Sequence, residues 1–152
     1  MDAAHTFERF AATTNPPIPP GTAGQGQKQV EIVVIHTTIE ATRKAMQAVL
    51  QLAKDLEAHV RLLAPQIVPQ AAYGVPPVSI RFLADQLLPL TGAIATLVDI
   101  RLGSDRWDII RNSLPPASLV VVGGRRFWPW RDRRLAMRLQ KAGHNVLFVK
   151  SH

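Results

Sequence analysis

Between Ser118 and Gly123 the chain runs Ser-Leu-Val-Val-Val-Gly, and this stretch constrains the fold more than any other. Leucine and three valines in succession leave no polar side to face water. Such a run reads as a strand buried on both faces, the pattern of a parallel sheet held between two helical layers. Gly123 and Gly124 break it, and a loop follows that carries Arg125, Arg126, Arg131 and Arg133 interleaved with Phe127, Trp128 and Trp130. Open α/β sheets place their ligand crevice just past the carboxyl ends of their strands, so this loop is the first place to look for a site.

The rest of the chain supplies matching units. Val30 to Ile35 reads as a first strand, ending in His36-Thr37-Thr38. Thr37 with Glu40 has capping-box spacing, which predicts a helix from about Ile39 to Glu57. Ala45, Met46, Val49, Leu52, Ala53 and Leu56 share its apolar face, and Glu40, Lys44, Gln47, Gln51, Lys54 and Asp55 the polar one. A second strand is expected over His59 to Ala64, then a proline-rich connection from Pro65 to Pro77. Val78 to Leu90 reads as a second helix that Pro89 should kink or end. Leu97 to Leu102 alternates as a third strand, and Ser104 is placed to cap a short helix reaching Asn112 before Pro115-Pro116. Ser118 to Val122 is the fourth strand. A fourth helix begins near Asp132 and stops at Ala142-Gly143, and Val146 to Val149 closes the series. Strands alternating with helical crossovers imply an α/β sandwich of three layers around a five-stranded parallel sheet.

Residues 1 to 28 differ in kind. Pro, Gly, Thr and Gln dominate Ala11 to Lys28, leaving little apolar surface to offset the entropy of ordering. A flexible arm is expected there, with a short helix allowed around Phe7 to Ala12, before an α/β domain over residues 29–152.

Charge is localised too. Of the net +7, the segment from Arg125 to Lys141 holds seven cations against Asp132, while the remaining 11 cations and 10 anions nearly cancel. A neutral body with one basic segment points to a local site rather than to general polyanion affinity. The chain has no cysteine, no secretory leader pattern, and no apolar run near the roughly eighteen residues a membrane span needs. A soluble, cytoplasmic protein is the expectation.

The order and spacing of these landmarks resemble the universal stress protein family over roughly Gln29 to Lys150. The resemblance rests on the threonine-rich exit of strand one, Gly103-Ser104-Asp105 before a short helix, Ser118-Leu-Val-Val-Val-Gly123, and Asn145-Val-Leu-Phe-Val149. It implies strand order 3-2-1-4-5 and a homodimer, often joined through the last strand. Nucleotide-binding members of the family use an Asp at the end of strand one and a G-x-x-G motif after strand four, followed further on by Gly-Ser or Gly-Thr. Here His36 takes the Asp position, Gly123 matches the first glycine, Arg126 replaces the second, and Asp132-Arg133 fall near the Gly-Ser position. The glycine cradle for ATP is therefore missing, and no cofactor is expected.

Several residues remain candidates on either reading. Gly123 and Gly124 fit a remnant phosphate turn or simply a tight strand exit. Arg125, Arg126 and Arg131, with Arg133, can clamp a phosphate or carboxylate through bidentate contacts, and Thr37 and His36 lie where such a ligand would sit. Arg133, Arg134 and Arg138 equally fit the solvated face of helix four. Phe127, Trp128 and Trp130 fit a plug over the crevice or a protein contact, ahead of a nucleic-acid surface. The five histidines show no metal-ligand spacing, and there is no phosphate-loop signature or nucleophile elbow. Catalysis is not expected. Three functions stay open: a non-catalytic regulatory or interaction module, a nucleotide or anion sensor using the arginine loop, and a nucleic-acid binder using the same loop.

Overall fold

The computed structural model describes residues 7–12, 30–68, 80–91, 96–127 and 130–150. In chain order the elements are β1 (Phe7–Ala12), β2 (Glu31–Ile35), α1 (Ile39–Leu56), β3 (His59–Ile67), α2 (Ile80–Leu87) with a 3-10 turn at Leu88–Leu90, β4 (Thr96–Gly103), α3 (Arg106–Ser113), β5 (Leu119–Gly123), α4 (Trp130–Lys141) and β6 (Asn145–Val149). The sheet order is β1-β4-β3-β2-β5-β6. The five strands from β2 onward are parallel, as the alternation of strands and helices implies, and run 3-2-1-4-5 in their own numbering, the order that the family resemblance implies.

The apolar runs lie at the centre. Val34 is flanked by Leu62 on one side and Val121 on the other, and all three are fully buried. Alternate residues feed two separate cores. Ile32, Val34, Leu62 and Val121 meet Ala45, Met46 and Val49 of α1 and Leu87 of α2. On the opposite face Val33, Ile35, Val120 and Val122 meet Ile110 of α3 and Ala136 and Leu139 of α4. Helices on both faces are what two-sided apolar strands demand.

Local chemistry sets the boundaries, with some shifts from the expected positions. The cap of α1 is Thr38, whose side chain accepts from Ala41, rather than Thr37. Asp105 rather than Ser104 caps α3, accepting from Asp108. Pro89 falls in the 3-10 turn that finishes α2, and Gly143 follows α4 at φ 97. Strand β3 runs three residues beyond Ala64, through Pro65. Its ladder with β2 ends at Leu63, so from Pro65 on it pairs with β4 alone. A proline is tolerated where one side of a strand has no neighbour.

Phe7–Ala12 is a correction to the expected arm. These residues form neither a helix nor loose chain but an antiparallel strand along β4, with Phe7 opposite Arg101 and Ala12 opposite Thr96. An antiparallel edge strand on a parallel sheet covers amides and carbonyls that an open edge would expose. The other residues of the expected arm, 1–6 and 13–28, lie outside the described residues.

Candidate anion-recognition site

The strand order reverses between β2 and β5, the place outside whose carboxyl ends open α/β sheets put their ligand crevice. Thr37, just past β2, donates its hydroxyl to the Gly123 carbonyl at 3.0 Å and ties the two exits together. His36 lies beside it with its amide on the Leu63 carbonyl and its Nδ1 2.8 Å from the Thr42 hydroxyl. Burial, reinforced by the positive charge of Arg106, pulls the His36 pKa down to about 4. The ring is therefore neutral at pH 7. It adds no positive charge to the crevice.

Both glycines have packing reasons. A Cβ on Gly123 would collide with the Ala41 carbonyl oxygen in the first turn of α1, and one on Gly124 with the Phe148 ring. Helix and strand thus approach at Gly123 more closely than any side chain allows. Beyond them, the Arg125 amide donates to Asp132 Oδ2 at 2.8 Å, and Arg125 Nε lies 3.6 Å from the same oxygen. Asp132 is 0% exposed, stands in the first turn of α4, and leaves Oδ1 without a hydrogen-bond partner. A carboxylate is favoured at a helix N-terminus, as a phosphate would be. The chain has put its own anion there.

A second concavity opens alongside, between the start of α3 and the length of α4. It encloses about 440 Å³, and its walls include Arg106 and Trp107 from α3 and Arg131, Arg134, Leu135 and Arg138 from α4. Arg131, Arg134 and Arg138 follow one another at three- and four-residue steps and so share one helix face. Arg138 lies over the Trp107 ring at 4.2 Å, while Arg131 and Arg134 lie 5.4 and 5.2 Å from the Trp130 ring. Among the described residues no carboxylate comes within ion-pair distance of these four guanidiniums. Burial lowers the pKa of Arg106, Asp132 opposes that shift, and Arg125 adds to it. Asp105 also borders the groove, but its side chain is engaged in capping α3.

The candidates named from sequence thus separate. His36, Thr37, Gly123, Gly124 and Arg125 meet at the crevice, and Arg131 faces the groove. Arg126 lies over Phe127, and Arg133 over Phe148. Phe127 and Trp130 are 72% and 44% exposed, so neither plugs the crevice; Phe148 is the ring packed against Gly124. Trp128 lies outside the described residues. Arg134 and Arg138, assigned from sequence to a solvated face, are groove residues; Asp132 was placed from sequence near the Gly-Ser position, and Arg106 was not singled out at all. Helical periodicity alone would have put residues 131, 134 and 138 on one stripe. It carries no sign that Arg106 stands opposite.

Among the described residues no cluster of histidines and carboxylates has metal-site geometry, and no helix is long and apolar enough to cross a membrane. Comparison with known proteins finds no matching family model and no matching curated sequence.

Proposed function

We propose that this chain is a non-catalytic regulatory or interaction module of universal-stress-protein-like architecture that holds no nucleoside triphosphate at its strand exits. The single observation behind this reading is the Asp132 carboxylate, fully buried and bound to the Arg125 amide at the N-terminus of α4. A phosphate entering there would meet a fixed negative charge instead of free amides. The neutral His36 and the Phe148 ring against Gly124 support the same reading. Calorimetric titration with Mg-ATP tests it. Silence up to about millimolar nucleotide, a binding free energy weaker than roughly 4 kcal/mol, is the expected result. Micromolar binding that disappears in Arg125→Ala would overturn the reading in favour of a nucleotide sensor.

The reading includes a cytoplasmic location and pairing of two copies through β6. That strand has a neighbour on one side only, and Leu147 is exposed on it. Sedimentation analysis of the wild type and Leu147→Glu checks the pairing; a monomer in both would remove it. A second reading, a sensor of small anions, is favoured by one observation, the four groove guanidiniums that have no carboxylate at ion-pair distance among the described residues.

A further inference from the structure

We infer that the groove between α3 and α4 is a docking site for an acidic peptide segment of a partner protein. The inference rests on the interaction-module reading and names the chemistry of that partner.

Three features of the groove select this occupant. The first is an excess of positive charge. Arg61, Arg101, Arg111 and Arg125 each have a carboxylate within 4 Å, whereas among the described residues Arg106, Arg131, Arg134 and Arg138 line one concavity with no carboxylate at ion-pair distance, Asp105 being the one acid on its wall and Asp132 acting on Arg106 from farther off. Like charges brought together raise the free energy of the unbound protein, and an incoming anion relieves it. The second is length. Arg131 to Arg138 spans two turns of α4, about 10 Å at 1.5 Å per residue, with Arg106 facing them across the groove. Carboxylates spaced along a peptide can follow that length, which a single compact ion does not span. Arginine forks suit those carboxylates because each pair forms two parallel hydrogen bonds.

The third feature argues against nucleic acid. Binding of single strands needs aromatic faces free for bases to stack on. Here Trp107 lies under Arg138, Trp130 under Arg131 and Arg134, and Phe148 under Arg133. Each of these three rings thus has at least one guanidinium against it, which leaves less ring face for bases. Stacked arginines lose less conformational freedom when they take up a carboxylate.

The test is fluorescence anisotropy on the full chain with a labelled glutamate-rich peptide, a glutamine-rich peptide of equal length, and an oligothymidylate. The expected result is binding of the glutamate peptide alone, weakening as salt rises. Arg134→Glu with Arg138→Glu should weaken it by about tenfold or more, while Arg81→Glu, an exposed reversal of half that charge on α2 across the sheet, changes it by less than about twofold. Should the double reversal unfold, Arg131→Gln with Arg134→Gln is the milder pair, and it must weaken binding as well. No binding of the glutamate peptide at low salt overturns the inference. So does equal loss in Arg81→Glu, or tighter binding of the oligothymidylate. The Mg-ATP titration separates the two readings: a silent peptide with silent ATP removes only this one, and a silent peptide with micromolar ATP removes both.

Discussion

At the C-terminal end of α3, the buried Arg61 donates to the Ser113 carbonyl at 2.8 Å, to Asp99 at 3.1 Å and to Glu31 at 3.2 Å. At the N-terminal end of the same helix, Arg106 shares a groove with Arg131, Arg134 and Arg138 and has no carboxylate within ion-pair distance among the described residues. Each helix end carries a partial charge, negative at the C-terminus and positive at the N-terminus. Arg61 therefore adds a cation where the helix favours one, and Arg106 adds one where it does not. Arg101 joins the first cluster by donating to the same Asp99 oxygen. The contrast teaches that charge count alone does not identify a site. One group of arginines is spent inside the fold, and the other is left for something outside it.

The sharpest way to break this comparison is Asp99→Ala. Asp99 is fully buried and receives both Arg61 and Arg101, so its loss takes a carboxylate from two cations that are mostly shielded from water and leaves Arg61 with the partly exposed Glu31. We expect a loss of about 3 kcal/mol in urea unfolding, the usual scale for removing one partner of a buried pair. An effect below about 1 kcal/mol would place this cluster with ordinary surface pairs.

A pH dependence comes next and reports on the groove end. His36 titrates at about 4 in the folded chain, against 6.5 when exposed. As pH falls from 6.5 towards 4, the unfolded chain takes up a proton that the folded one refuses, and stability drops. The slope is at most about 1.4 kcal/mol per pH unit for one proton. Below about pH 4 both states are protonated and this contribution levels off. His36→Gln should flatten this part of the curve. Arg106→Gln should raise the His36 pKa in an NMR titration only in part, because burial is the larger cause and the guanidinium the smaller.

The smallest effect is expected from Arg131→Gln with Arg134→Gln. Neither side chain has an ion pair to lose, and both are exposed. Stability should stay within about 0.5 kcal/mol of wild type. A loss comparable to that of Asp99→Ala would mean that the groove arginines are structural after all.

Much of the fold was legible because it depends on neighbours in sequence. The four-residue run before Gly123 could only be a strand covered on both faces, and the apolar stripe of Ala45, Met46, Val49 and Ala53 could only be a helix lying on one. Boundaries were less legible, since Thr37 and Thr38 are equally good caps by type, as are Ser104 and Asp105. In each pair the second residue caps the helix, and the freed Thr37 hydroxyl bonds across the sheet to Gly123. Of the candidate residues, those at the strand exits were named from sequence, and the groove that gathers Arg106, Arg131, Arg134 and Arg138 was not. Arg133 and Arg134 are adjacent and identical in type, yet about 100° of helical rotation sends one towards Phe148 and the other into the groove.

The sequence by itself determined which segments are strands and helices, that the central strands are parallel, and where the positive charge accumulates. Those outcomes follow from apolar spacing and local hydrogen bonding, which act within a few residues. Only the tertiary structure decided that Phe7–Ala12 pairs with β4, that Asp132 takes the Arg125 amide, and that Arg61 has carboxylates at ion-pair distance while Arg106, among the described residues, has none. Electrostatic interaction depends on distance through space and on the water excluded between the charges. Arg61 and Asp99 are 38 residues apart in the chain and 3.1 Å apart in the fold.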